Sequence, residues 1–284
     1  MIEVIESSEA FSRMAAAKDG GVARYPNPGN GSERLFPYPQ IAHWPKFHID
    51  RQSRVFAIGS CFAQNVEAEL KNFGMEVLSR DKHLESSGRI KYTTKSILQD
   101  LSAAFERDRW YESIYYVDEQ FYTLNFSSSL AKKGMPEDQC RSLLEQYYLN
   151  LQNIRDADVV IITLGLIEAW YDKSRHRYVN VTPSRIVRNL YSNDFEVHVL
   201  SYEDVLSDLR AIVDAIGKIA QSNILISVSP VPLLATFRNQ DCIQANMYSK
   251  CVQRAAVEAV CQEHSNVAYF PSYEIVTMAD SAMA

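Results

Sequence analysis

The feature of this sequence that most limits its fold begins at Arg54, where short apolar runs start to alternate with longer amphipathic ones. That alternation is the pattern of βα units. Candidate strands are Val55–Gly59, Met75–Ser79, Val159–Leu164, Ile224–Ser229 and Val267–Phe270. At least four of them are apolar enough to be buried on both faces, as strands of a parallel sheet are. Between them, Phe62, Val66, Leu70 and Phe73 recur at helical spacing, as do Ile97, Leu101 and Phe105, and Val205, Leu209, Ile212, Ile216 and Ile219. These are the expected crossover helices. Ser201 followed by Asp204 fits a capping box, in which the side chains satisfy donors left free in the first helical turn; an ordinary polar turn is the alternative.

The pattern does not extend over the whole chain. Residues 1–50 hold Gly20, Gly21, Pro26, Pro28, Gly29, Gly31, Pro37, Pro39 and Pro45, a density of breakers that predicts a largely irregular amino-terminal arm ahead of a domain over 51–284. The stretch from about 110 to 148 is longer than a plain crossover and rich in aromatics (Tyr111, Tyr115, Tyr116, Phe121, Tyr122, Phe126). It reads as an inserted lid, with rings that either stack on a sugar or pack a core.

Charge and cysteine content exclude several function classes. A formal net charge of −6 argues against nucleic acid as a partner, because binders of phosphate chains carry a basic face. The amino terminus lacks a basic start and a continuous apolar core, so export is not expected. No window approaches the ~20 apolar residues that cross a bilayer. The five cysteines (Cys61, Cys140, Cys242, Cys251, Cys261) are odd in number and lack C-x-x-C spacing, which fits a reducing, cytoplasmic setting with neither a disulfide framework nor a metal site.

In an open parallel sheet, ligands bind beyond the carboxyl ends of the strands, where the strand order reverses. Those ends carry Gly59-Ser60-Cys61, Gly165-Leu166-Ile167-Glu168, Ser229-Pro230-Val231-Pro232 and Pro271-Ser272-Tyr273. Ser60 follows a glycine at a strand-to-helix junction, where helix N-terminal donors favour developing negative charge. It is a candidate nucleophile; it is equally placed to be a helix N-cap. Cys61 is the rival nucleophile or a core thiol. Asn246 and Lys250, one helical turn apart, can share a face that meets an anionic group, or lie in solvent. His83, after the second expected strand, is the histidine best placed to approach this edge. The other five fall in the arm, in connections or at element ends.

The run Ala57-Ile58-Gly59-Ser60-Cys61-Phe62-Ala63-Gln64 contains the motif for which the GSCFA family is named. Thr163–Trp170, Ser227–Leu233, Ala245–Lys250 and Tyr269–Glu274 resemble further blocks of that family in the same order. The family is similar to the SGNH, or GDSL-like, hydrolases. The resemblance therefore implies a flavodoxin-like three-layer α/β/α sandwich, with Ser60 as nucleophile, the Ser60 and Gly165 N–H groups as oxyanion donors, and acyl transfer as the chemistry.

Two departures from the hydrolase pattern stand out. Where those enzymes have Gly-x-Asn-Asp, this chain reads Gly165-Leu166-Ile167-Glu168. Glu168 then orients a substrate hydroxyl, acts as a base, stays protonated if buried, or forms a salt bridge. Where they have Asp-x-x-His, Asp280 is followed three residues later by Met283. Either the sequence ends early relative to its relatives or another group takes the Ser60 proton, since serine without a base is a weak nucleophile.

The expected function is a serine esterase or O-acyltransferase acting on an ester-linked acyl group of a carbohydrate or polysaccharide precursor. It needs no cofactor, though a transferase would take an acyl-CoA as co-substrate. The alternative is an inactive carbohydrate-binding or scaffolding module. Oligomeric state cannot be read from the sequence.

Overall fold

The computed structural model describes residues 4–18, 22–26, 32–36, 39–81, 84, 86–127 and 132–279. Contacts divide the chain into one unit of residues 1–44 with 271–284 and a second of 45–270. Among its described residues, the smaller unit contains α1 (Ser7–Lys18), a 3-10 turn (Ser32–Arg34) and, from the carboxyl end, a helix over Ser272–Thr277. Within the arm, expected to be largely irregular, α1 is a regular element. The breakers start only at Gly20, and the stretch before them carries a Glu9–Arg13 ion pair at helical spacing of the kind that supports an exposed helix.

The larger unit begins with β1 (Arg54–Gly59), α2 (Cys61–Asn72), β2 (Glu76–Val77) and α3 (Thr94–Ala103). A hairpin, β3 (Ile114–Val117) and β4 (Gln120–Thr123), leads to α4 (Glu137–Leu151) and β5 (Val159–Leu164). Then come β6 (Glu168–Asp172), β7 (Arg177–Val179), α5 (Arg185–Leu190), β8 (Phe195–Val199), α6 (Tyr202–Ile219), β9 (Asn223–Val228), α7 (Cys242–Glu263) and β10 (Val267–Tyr269). The Ser272–Thr277 helix is α8.

Five strands form a wholly parallel sheet in the order β10-β9-β5-β1-β2. Taken in sequence order these are strands 5-4-3-1-2, the doubly wound arrangement whose connections reverse direction between β1 and β5. The sheet lies between helices, as a three-layer α/β/α sandwich requires. Every residue of β5 is buried, which is why Val159–Leu164 reads as an unbroken apolar run apart from Thr163. Each such Val, Ile or Leu contributes about 1.5–3 kcal/mol on burial.

Two smaller sheets complete the unit: the β3–β4 hairpin and an antiparallel sheet in the order β7-β6-β8. The stretch read as a lid is part of the fold itself. Trp110, Phe126, Met135, Cys140, Leu144, Tyr147 and Tyr148 join the main core, and Tyr115 and Tyr122 sit in a second one. Packing is therefore what most of its rings do. The Ser201–Asp204 capping box is present, with Ser201 Oγ accepting from Asp204 N (3.2 Å) and Asp204 Oδ2 from Ser201 N (2.9 Å). Among the described residues, no helix is long and apolar enough to cross a membrane.

Candidate active site at the carboxyl edge of the sheet

The reversal between β1 and β5 puts the ends of those two strands side by side, and the local geometry there leaves little freedom. Gly59, the last residue of β1, has φ +136°, and a Cβ on it would fall 2.1 Å from the Thr163 carbonyl oxygen of β5. Only glycine fits so close an approach with that backbone. The chain then turns sharply into α2. Ser60 N donates to Thr163 O (2.9 Å), and Ser60 caps the helix, its Oγ accepting from Phe62 N (3.3 Å).

Ser60 Oγ has a second partner that the sequence reading did not single out. Thr163 Oγ1 lies 2.9 Å away, and either hydroxyl can donate. The signal was present: Thr163 is the one polar residue in an otherwise aliphatic strand. Ser60 is only 3 % exposed, whereas Cys61 beside it is partly open to solvent as a free thiol.

Gly165 follows β5 and packs against Ser60; a Cβ there would meet Ser60 Cβ at 3.3 Å and Tyr92 O at 2.7 Å. Tyr92 belongs to a segment that crosses both strand ends. Lys91 N donates to Gly59 O (2.6 Å) and Leu166 N to Tyr92 O (2.9 Å). Asn180 steadies that segment, accepting from Tyr92 N (3.1 Å) and donating to Ile90 O (2.7 Å). Burial raises the Tyr92 phenol pKa, and the nearby Cys61 raises it further.

Lys250 enters from α7. Its side chain is buried, and Nζ donates to Gly165 O (2.7 Å). Burial lowers its pKa to about 8, against an opposing pull from Cys61, and Ser60, Cys61, Tyr92, Gly165 and Lys250 form one cluster. Lys250 does not lie in solvent. Its helical neighbour Asn246 serves a different purpose, accepting from Leu233 N (3.0 Å) to brace the loop after β9.

The remaining sequence candidates are placed less directly. Ser229 N donates to Leu164 O (2.8 Å) and Ser229 Oγ accepts from Val231 N (3.3 Å), so Ser229 ties the end of β9 to that of β5 and starts the proline loop. Glu168, buried at the start of β6, gives one oxygen to Thr236 Oγ1 (2.6 Å) and the other to Phe237 N (2.7 Å). It anchors the far part of that loop, and both of its oxygens are engaged. His83 and Asp280 lie outside the described residues. Pro271-Ser272-Tyr273 falls at the start of α8, in the smaller unit. Among the described residues no group of His, Cys, Asp and Glu is arranged to hold a metal.

The sequence model of the GSCFA family matches residues 54–283, from the first residue of β1 onward. No curated protein and no solved structure matches the chain. With its motif on the β1–α2 junction, and with that match spanning the parallel sheet and its crossover helices, the chain belongs to the GSCFA family.

Proposed function

We propose that the protein is an SGNH-like serine esterase or O-acyltransferase acting on an ester-linked acyl group, with a carbohydrate or polysaccharide precursor as acceptor or substrate. The observation that carries this reading is Ser60 itself. It stands at the carboxyl end of β1, at the reversal of strand order, with its side chain on the N-terminus of α2 and Gly165 pressed against it. Nothing about the fold alone requires this chemistry; the reading rests on what surrounds the hydroxyl.

In the acylation step, Ser60 Oγ bonds to the ester carbonyl carbon, the bond from that carbon to the alcohol oxygen breaks, and the serine proton ends on the departing alcohol. In the second step, water or an acceptor hydroxyl takes the acyl group and returns a proton to Ser60. The Ser60 N–H, expected as an oxyanion donor, is already taken by Thr163 O, so negative charge that develops on the carbonyl oxygen is favoured by the N-terminal dipole of α2. The alcohol acceptor distinguishes a transferase, which would take its acyl group from a donor such as an acyl-CoA, from an esterase, for which water suffices.

One observation favours a second reading. Ser60 Oγ is nearly covered and already bonded to Phe62 N and Thr163 Oγ1, the state of a purely structural cap. A non-catalytic carbohydrate-binding or scaffolding module would carry its serine in this way. Labelling by a fluorophosphonate separates the two readings without knowledge of the substrate. The phosphorus forms a bond to an activated serine oxygen and expels fluoride, and the proton leaves with it. A label on Ser60 supports the enzyme; ligand affinity unchanged in Ser60→Ala, with no label and no ester turnover, supports the module.

A further inference from the structure

Lys250 sits in a place where an unopposed charge is costly. It lies on a buried polar face of α7 with Ser249 and Gln253, one helical turn apart and almost wholly covered. Among the described residues no carboxylate pairs with it. On α6, Asp208 pairs with Lys95 and Arg210 with Glu263. On β10, Tyr269 packs under Arg254. The one titratable neighbour that acts on Lys250 among the described residues is Cys61, at the start of α2, a thiol that also acts on Tyr92.

What Lys250 holds is a single peptide. Its Nζ takes the Gly165 carbonyl at 2.7 Å, while the Leu166 N–H of the same peptide is taken by Tyr92 O at 2.9 Å. A plane gripped at both ends fixes the backbone of Gly165, and Gly165 is the residue pressed against Ser60. A charged donor makes the stronger of the two grips. With both groups buried, the field of the ammonium is screened less than it would be in solvent and acts more strongly on a nearby oxygen.

We infer that Lys250 is the positioning residue of this site: its ammonium locks the Gly165–Leu166 peptide beside Ser60 and supplies the positive potential that favours an anionic transition state there. This rests on Ser60 being the nucleophile. The role differs from that of a general base, because it needs the lysine charged. Since burial brings its titration down to about 8, Ser60 reactivity falls on the alkaline side as the charge is lost. A lysine base would make reactivity rise through the same interval.

The test is the rate of fluorophosphonate labelling at Ser60 from about pH 6 to 10, in the natural chain, Lys250→Met and Cys61→Ala. The natural chain should show a fall near pH 8. Lys250→Met should label about ten- to a hundredfold more slowly at neutral pH, below the roughly 10²–10³ lost with a direct oxyanion donor, and should lack the fall. An unchanged rate and profile in Lys250→Met overturns the inference, as does a rate that rises through pH 8. A fall that Cys61→Ala removes and Lys250→Met keeps belongs to the thiol and overturns it too. Should Lys250→Met not fold, the sign of the alkaline change in the natural chain still decides. Absence of label on the natural chain at every pH is a different failure, that of Ser60 as nucleophile.

Discussion

Two lysines, Lys91 and Lys250, are buried in the same unit of this protein, and their charges are treated in opposite ways. Lys91 is surrounded by partners. Its Nζ is 2.6 Å from Asp100 Oδ2, donates to Asn125 O (2.6 Å) and Oδ1 (2.9 Å), and lies over the Tyr147 ring. Asp100 in turn accepts from Tyr147 and Tyr148. Lys250 has one carbonyl. Its helical neighbours are under-satisfied as well: Ser249 Oγ and both amide atoms of Gln253 are buried with no hydrogen-bond partner among the described residues. Burial lowers the pKa of both lysines, but for Lys91 Asp100 offsets part of that effect. A satisfied network of this kind defines a core, whereas the unpartnered groups beside Lys250 leave buried polar atoms whose desolvation nothing offsets.

The comparison breaks most visibly at Lys91. Removing one partner of a buried pair leaves the other charge stranded, so Lys91→Met is expected to destabilise the fold by about 3–5 kcal/mol, measured by denaturant unfolding. Replacing both partners, in Lys91→Met with Asp100→Leu, should recover much of that loss, because no charge then stays buried. Recovery would confirm that the cost lies in the unpaired ion; no recovery would show that the hydrogen bonds to Asn125 and the two tyrosines matter more.

Lys250→Met should do the reverse and stabilise. The folded lysine titrates near 8 and the unfolded one near 10.4, a difference of about 3 kcal/mol in favour of the neutral form. Loss of the charge-assisted bond to Gly165 O costs about 2 kcal/mol, leaving a net gain of about 1 kcal/mol at pH 7. The sign with pH follows from proton counting. Between about pH 8 and 10.4 the unfolded chain holds the extra proton, so stability of the natural chain rises with pH through that window. The variant should lack this rise, so the two curves should cross within the window, with the natural chain the more stable at its upper end. A variant less stable than the natural chain at pH 7 would show that the clamp on Gly165 outweighs the buried charge.

The smallest expected effect is that of Thr163→Val, which deletes the hydroxyl facing Ser60 and keeps the strand. About 1 kcal/mol of stability should go with the buried hydrogen bond. The labelling rate at Ser60 should change as well, since Ser60 Oγ then keeps only its helix-capping partner. A rate identical to that of the natural chain would mean that Thr163 shapes the core and has no part in orienting the nucleophile.

Much of this was legible from the chain, and the misses have physical causes. Val159–Leu164 is the strand expected, because a strand buried on both faces leaves an apolar run with sharp ends. The second strand is shorter than expected, Glu76–Val77 in place of Met75–Ser79. It is an edge strand paired only to Arg54 and Val55, and the chain turns away once Leu78 N has bonded to Val55 O. The β7-β6-β8 sheet went unread because Glu168–Asp172 carries charges at both ends. Those carboxylates are anchored, Glu168 by Thr236 and Phe237, and Asp172 by Tyr115, Ser174 and Arg175. Helix α4 was hidden within the supposed lid, although Cys140, Leu144, Tyr148 and Leu151 already recur at helical spacing.

The site was legible in part. Gly59, Ser60, Cys61, Gly165 and Lys250 do meet at the carboxyl edge, since doubly wound connectivity brings the ends of β1 and β5 together. Glu168 and Asn246 serve the loop after β9. Tyr92 was missed because it acts through its backbone carbonyl, and Asn180 because its side-chain amide bonds the backbone of a distant segment, contacts that leave no periodic trace in the sequence.

The most direct test of the account is mass-spectrometric mapping of a fluorophosphonate adduct on the tryptic peptide Val55–Lys71, which holds both Ser60 and Cys61. The account predicts an adduct on Ser60 that disappears in Ser60→Ala and is slowed in Lys250→Met. An unlabelled peptide, or an adduct elsewhere in the chain that persists in Ser60→Ala, would contradict it.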